Sequence, residues 1–188
     1  MSGTEAQAAS DLASTVRPGP IRAAVITCSN RSARGERPDT SGEVLADGLA
    51  GAGVVVVSRL VVPDEVGEIR GALRAALAAG VDVVVTTGGT GLTPTDVTPE
   101  AVRPLLEREV PGIAETIRAV SRDRVPTSVL SRGVCGVIGS SLVLTLPGST
   151  GGVRDGLAVL LPLLDHLVDQ LHGGDHRPGG GYVPGQAG

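Results

Sequence analysis

Three apolar runs rich in β-branched residues mark the first half of the chain: Ile21 to Thr27 (IRAAVIT), Val54 to Val62 (VVVVSRLVV) and Val81 to Thr87 (VDVVVTT). None alternates apolar and polar positions at period two. Near-continuous runs of this kind belong to strands covered on both faces, as in parallel sheets. Between the second and third runs the period changes: from Asp64 to Ala79, residues Val66, Ile69, Leu73, Ala76 and Leu77 fall on one face of a helix. Between the first and second, Thr40 and Glu43 have the spacing of a capping box, which predicts another helix start. Strands and helices in strict alternation predict a doubly wound α/β sheet.

The second half carries the same signals. Thr98, Pro99 and Glu100 place a cap residue, a proline and an acid in sequence, so a helix is expected from near Pro99. A further helix, Gly112 to about Asp123, presents Ile113, Ile117 and Val120 at i, i+4 and i+7. Val134 to Ile138 and Ser141 to Leu146 are two short β runs around Gly139-Ser140, the pattern of a hairpin. The expected fold class is therefore α/β, a mostly parallel sheet with an antiparallel edge hairpin and helices on both faces. The last helix, from near Ser149 to about Leu171, presents Val153, Leu157, Leu161, Leu164 and Val168, with Pro162 expected to kink or split it. Residues 1–20 are small and polar and 173–188 are rich in Gly and Pro, so both are expected to be disordered tails around one domain, 21–172.

Composition narrows the chemistry. All 16 basic residues are Arg, since no Lys occurs, which excludes a Schiff-base lysine and the lysine of a Walker A phosphate loop. With no Phe, no Trp, a single Tyr at 182 and a net charge of −4, neither base-stacking platforms nor a basic footprint points to nucleic acid. Cys28 and Cys135 lie far apart without a CxxC partner, which fits a reducing cytoplasm better than a zinc site or a disulfide framework. No apolar run approaches the roughly 18 residues a membrane span needs, and no basic-then-apolar leader opens the chain.

In open α/β sheets ligands bind beyond the carboxyl ends of the strands, where glycine turns expose backbone N–H groups at the next helix. The third strand runs into Thr87-Gly88-Gly89-Thr90-Gly91 and on through Asp96 to Glu100, a phosphate-sized loop whose spacing is not that of a dinucleotide fingerprint. Asp96 beside an anion site calls for a cation between them, and Mg²⁺ on one carboxylate plus substrate phosphates is the usual solution; the alternative is an Asx-turn or helix-terminal acid. Asp64, after the second strand, is a second candidate acid or else a helix N-cap. Pro147-Gly148-Ser149 forms another Gly-containing strand end, and two anion sites suggest a ligand with two charged ends. Ser29 and Asn30 open a long polar loop at the first strand end, while Ser131 and Arg132 add a hydroxyl and a guanidinium suited to phosphate. His166, His172 and His176 are expected to be solvated, Cys135 to sit in the core, and Cys28 to lie near the site without an obvious base.

The segments VVPDEV (61–66), TTGGTGLTPTDVTPEAV (86–102), VPGIAETIR (110–118) and PTSVLSRGVCGVIGSSLVLTLPGS (126–149) together resemble the Mog/MoaB family of molybdenum cofactor biosynthesis proteins, which includes the N-terminal domain of gephyrin. The resemblance spans about Ile21 to Leu171. It implies a three-layer α/β domain, commonly a homotrimer, that binds molybdopterin and acts before a molybdate-inserting enzyme. Its catalytic branch transfers AMP from Mg-ATP to the terminal phosphate of molybdopterin and releases pyrophosphate; another branch binds molybdopterin without catalysis. By the same resemblance Asp64 and Asp96 are the two functional aspartates, with Asp96 toward Mg²⁺. Gly88 to Gly91 and Ser149 would supply donors to the nucleotide and pterin phosphates. Many members carry Arg at the position of Thr95 and Asp at that of Asn30.

Overall fold

The computed structural model describes residues 19–174; the expected tails fall almost wholly outside them, as do His176 and Tyr182. Six strands form one sheet in the order β2-β1-β3-β6-β5-β4. They are β1 (Arg22–Cys28), β2 (Val55–Val62), β3 (Val83–Thr87), β4 (Arg108–Glu109), β5 (Cys135–Ile138) and β6 (Ser141–Leu146). β1 pairs in parallel with β2 and β3, and β3 with β6, while β5 runs antiparallel to both β6 and β4. Gly139, at φ +59°, makes the expected turn between β5 and β6. The two-residue β4, too short to leave a pattern, caps the edge beyond that hairpin.

Among the described residues seven α-helices accompany the strands: α1 (Asn30–Ala33), α2 (Thr40–Gly51), α3 (Val66–Ala78), α4 (Thr98–Val102), α5 (Pro111–Arg122), α6 (Thr150–Leu160) and α7 (Leu164–Leu171). Alternation along the buried strands sorts the core into two layers. Val83, Val85, Leu142, Leu144 and Leu146 pack with Leu45 and Leu49 of α2, Ile113 and Ile117 of α5, and Val153, Leu157 and Leu160 of α6. On the other face, Ala24, Ile26, Val84 and Val143 meet Ile69, Leu73 and Ala76 of α3 and Ala101 and Val102 of α4. Each fully buried Leu or Ile contributes about 1.5–3 kcal/mol of apolar transfer. Both layers are therefore needed to hold the strand ends that carry the site.

Several expectations change. β2 is an edge strand, not one covered on both faces: Val55, Leu60 and Val61 are 36–44% exposed. β-branched composition specifies a strand but not its place in the sheet. Helix α2 is capped by Asp39, whose carboxylate accepts the Gly42 N–H at 2.9 Å, one residue before the predicted Thr40. Val97, not Thr98, occupies the cap position of α4. Val120 is 49% exposed, and the buried stripe of α5 is Ile113, Ala114, Ile117 and Ser121. Pro162 splits the last helix as expected, with a short 3₁₀ turn at Leu161–Leu163.

Candidate functional site

The glycine turns after β3 and β6 touch. Gly88 sits at φ +98°, where a Cβ would fall onto the Cys28 carbonyl, and its N–H donates to the Leu146 carbonyl at 3.0 Å. A Cβ on Gly148 would lie 3.2 Å from the Gly88 Cα, so the two backbones approach as closely as only glycine permits. Thr87 Oγ1 donates to the Pro147 carbonyl at 2.8 Å, and Thr98 Oγ1 donates to the Gly88 carbonyl at 2.9 Å. The outcome is a ridge of main chain at the carboxyl edge of the sheet, with a cavity on each side.

The first cavity, about 410 Å³, is polar. It is lined by Ser29, Asn30, Asp64, Thr87 and Gly88 among the expected residues, and by Arg31, Arg37 and Thr95 besides. Asp64 is not a helix cap, since α3 is preceded by Glu65. Its Oδ2 accepts the Asn30 N–H at 2.8 Å, while its own N–H donates to Asn30 Oδ1 at 3.1 Å. That reciprocal pair fixes the carboxylate beneath Gly89, where a Cβ would stand 3.2 Å from Oδ1. Burial raises the Asp64 pKa above the ordinary carboxylate value, the Asn30 N–H counteracts it, and the charge of Asp96 raises it further.

Asp96 lines both cavities, as do Gly89 and Gly148. Its Oδ2 accepts from the Thr93 N–H at 2.9 Å and from Thr93 Oγ1 at 2.7 Å, while its N–H donates to the Thr93 carbonyl at 2.9 Å. The Asx-type turn is thus present, and it aims the acid rather than consuming it: Oδ2 carries both side-chain bonds. Two carboxylates that feel each other, among hydroxyls and backbone N–H groups, form a hard-oxygen donor set that fits Mg²⁺ completed by phosphate oxygens. Among the described residues no group of three or more His, Cys, Asp or Glu is arranged to hold a metal without such help.

Arg132 does not contribute the guanidinium expected of it. Nε donates to the Gly91 carbonyl at 2.7 Å, Nη2 to the Asp96 carbonyl at 2.6 Å, and Nη1 pairs with Glu100. Its backbone N–H also donates to the Thr90 carbonyl at 2.9 Å. Arg132 therefore braces the Gly91–Asp96 loop from behind, engaging main-chain oxygens that side-chain reasoning could not place.

The second cavity, about 470 Å³, holds Thr90, Gly91, Ser131, Pro147 and Ser149 of the expected set. Ser149 caps α6: its Oγ accepts the Gly152 N–H at 3.1 Å, which leaves its hydroxyl proton for a ligand. The remaining wall comes from helix faces that were not foreseen as site residues. Ala114, Ile117, Arg118 and Ser121 of α5 and Gly151, Gly152 and Asp155 of α6 line it, with Arg124, Val125 and Leu130 beyond. The helical stripe of α5 was visible, but not that the face burying Ala114, Ile117 and Ser121 also borders the cavity.

Both cysteines are buried. Burial pushes both thiols up to about 12, opposed by a Thr98 hydrogen bond at Cys28, where the Asp64 charge adds to the rise, and by a backbone bond at Cys135. His172, expected to be solvated, is half-buried, and its Nε2 lies 2.9 Å from Oδ1 of the buried Asp82. Among the described residues no helix is long and apolar enough to cross a membrane.

Residues 24–166 match the family described as "probable molybdopterin binding domain". The chain is 44% identical over 149 residues to molybdenum cofactor biosynthesis protein B of Escherichia coli K12, covering 78% of this chain and 86% of that protein. It is 38% identical over 156 residues to the molybdopterin adenylyltransferase of Pyrococcus furiosus, covering 80% and 91%. It spans about half the length of a molybdenum cofactor biosynthesis bifunctional protein from Chlorobaculum tepidum, with 37% identity over 155 residues, 82% of this chain and 50% of the relative. A crystal structure of a molybdopterin biosynthesis protein from Mycobacterium abscessus superposes with a TM-score of 0.76 at 47% identity, over 80% of this chain and 95% of that one.

Proposed function

The chain belongs to the molybdopterin-binding domain family of molybdenum cofactor biosynthesis, and from that premise we propose that it transfers AMP from ATP to the terminal phosphate of molybdopterin. One observation carries the reading: two cavities of different character meet at a main-chain ridge, with Asp96, Gly89 and Gly148 common to both. The polar cavity suits a triphosphate, since Arg31, Arg37, Ser29 and the turn N–H groups are anion donors. The larger one, with Ala114, Ile117, Val125 and Leu130 in its wall, suits a flat heterocycle. A phosphate oxygen held at the Ser149 end of α6 attacks the α-phosphorus across the ridge. A new P–O–P bond forms as the bond to the β-phosphate oxygen breaks, and pyrophosphate leaves on the polar side.

Asp64 and Asp96 are the catalytic acids of this reading and would hold Mg²⁺ there. When bound, Mg²⁺ neutralises charge on the phosphates. The turn N–H groups of Gly88 to Gly91 orient the phosphoryl oxygens, and such positioning is most of what phosphoryl-type transfer asks of a protein. In place, this chemistry needs no lysine.

The test is incubation with molybdopterin, ATP and Mg²⁺, followed by chromatography for adenylylated molybdopterin and pyrophosphate. Product that depends on Mg²⁺ and on Asp96 is expected. Pterin binding without product would favour the second reading, a non-catalytic molybdopterin carrier. That reading is favoured by Thr95, which lines the polar cavity where many relatives carry Arg and whose Oγ1 lies 3.1 Å from Thr93 Oγ1. The proposed setting is a cytoplasmic homotrimer supplying a molybdate-inserting enzyme. Exposed Val55, Val61 and Val129 offer apolar surface to an assembly, and sedimentation velocity measures the subunit number.

A further inference from the structure

The second cavity contains a charged group that adenylyl transfer leaves unused. Asp155 lies on the cavity face of α6, one turn beyond Gly151 and Gly152, and its side chain is only 14% exposed. The Ser121 hydroxyl donates to its Oδ2 at 2.5 Å and also lies 3.0 Å from the Ile117 carbonyl, while Arg124 pairs with Oδ1. Arg124 is largely exposed, so the pair's solvent-facing half is weak. The Ser121 hydroxyl, and behind it Arg124, hold the carboxyl below its ordinary pKa against the cost of burial, so it is ionised at neutral pH.

Two features turn this pair into a reading head. A carboxylate has about four lone-pair sites, and Ser121 and Arg124 occupy one on each oxygen, which leaves one on each for a ligand. Asp155 lies six positions after Ser149 along α6, a rise of about 9 Å. The anion end and the carboxylate therefore stand at opposite ends of one cavity wall. Gly151 and Gly152 line the wall between them, and a Cβ on Gly151 would meet nothing within 4 Å.

We infer that Asp155 determines specificity for the heterocycle, accepting two parallel hydrogen bonds from the adjacent ring N–H and exocyclic amino group of a 2-amino-4-oxopyrimidine edge. The inference rests on the reading that this cavity takes the pterin. A pterin presents that pair of donors side by side, which a carboxylate matches in bidentate fashion. Adenine presents an amino group beside a ring acceptor, which a carboxylate does not match. The heterocycle thereby selects its own cavity, with the phosphorylated side chain directed to Ser149 and the ridge.

The test uses the full chain and two fluorescent probes: a pterin with a phosphorylated side chain (neopterin monophosphate) and its 2-oxo counterpart, a lumazine of the same side chain. With no Trp and one Tyr in the chain, ring fluorescence is read directly. The expected wild-type preference for the pterin is about tenfold or more, because the lumazine turns one donor into an acceptor facing the carboxylate. Asp155→Asn presents one acceptor and one donor, so the preference should fall to parity or reverse. Ser121→Ala keeps the charge but loses its orientation, and should reduce the preference without reversing it. A thermal melt of each variant separates misfolding from lost recognition, and the wild-type ratio alone tests the inference if neither variant folds. Equal affinity of the wild type for the two probes overturns the role of Asp155 while leaving the pterin reading intact, as does an Asp155→Asn variant that weakens both probes equally. Failure of the wild type to bind either probe overturns both.

Discussion

Replacing Arg132 by Met retains the aliphatic stem and deletes every donor that braces the Gly91–Asp96 loop. The two bonds to the Gly91 and Asp96 carbonyls are charge-assisted, and each such bond has a net worth of about 1.5–3 kcal/mol when buried. Both residues are half-buried, so the freed carbonyls regain water, and about 1–3 kcal/mol of local stability remains at stake. The pair with Glu100 adds at most about 1 kcal/mol, because both groups are substantially exposed. Local opening of the loop should become roughly 10–100 times more frequent. Hydrogen exchange at the amides of Thr93 and Asp96 reads this, since each is bonded within the loop, while amides in β1 and β3 serve as the internal reference. Faster exchange at those two positions alone, with a comparable fall in turnover, is the expected result. Arg132→Lys should not restore protection, because a point charge cannot span two carbonyls as the planar fork does. Unchanged exchange together with weaker nucleotide binding would refute the brace and return Arg132 to the role of a phosphate contact.

Three other outcomes follow from the geometry. The folded-state pKa of Asp64 lies above its ordinary 3.8, so the folded chain holds that proton more tightly than the unfolded one. The group's contribution to stability falls as pH rises from that value through the raised one, and Asp96→Asn should lower the Asp64 midpoint in a ¹³C-carboxyl NMR titration; an unmoved midpoint would show that the two charges do not communicate. Gly88→Ala combines a left-handed φ, costing about 1–3 kcal/mol, with a collision on the Cys28 carbonyl, so urea denaturation should show a loss at or above that range; a loss under about 0.5 kcal/mol would mean the turn relaxes freely. His172→Ala removes a partner of buried Asp82 and should cost about 1–3 kcal/mol in the same assay, whereas an unchanged midpoint would mean the contact is energetically idle.

The strands at the centre of the sheet were legible because burial on both faces writes itself as runs dominated by Val and Leu, as in β3 and β6. β2 carries the same composition at the sheet edge, and nothing in its own residues distinguishes the two situations, because sheet order is a property of long-range pairing. The glycine turns, Asp64 and Asp96 could be located because φ, charge and strand ends leave local marks. What stayed hidden is relational. Arg132 is used by carbonyls some forty residues away in sequence. Asp155 gains its meaning from Ser121, 34 positions earlier. His172 seemed a surface residue because its partner Asp82 lies 90 positions away.

The contact at Asp82 bears on the architecture as a whole. One oxygen of that carboxylate accepts the Arg22 N–H at 2.8 Å, where β1 begins, and the other meets His172, just after α7 ends. First strand and last helix are thus stitched to one point at the amino edge of the sheet, opposite the glycine ridge. Among the described residues the domain is closed on itself, with residues 22 and 172 side by side at that edge. Such a unit can be spliced into a longer polypeptide, or reopened at a surface turn with residues 22 and 172 joined by a short linker, without any chain crossing the mouth of either cavity.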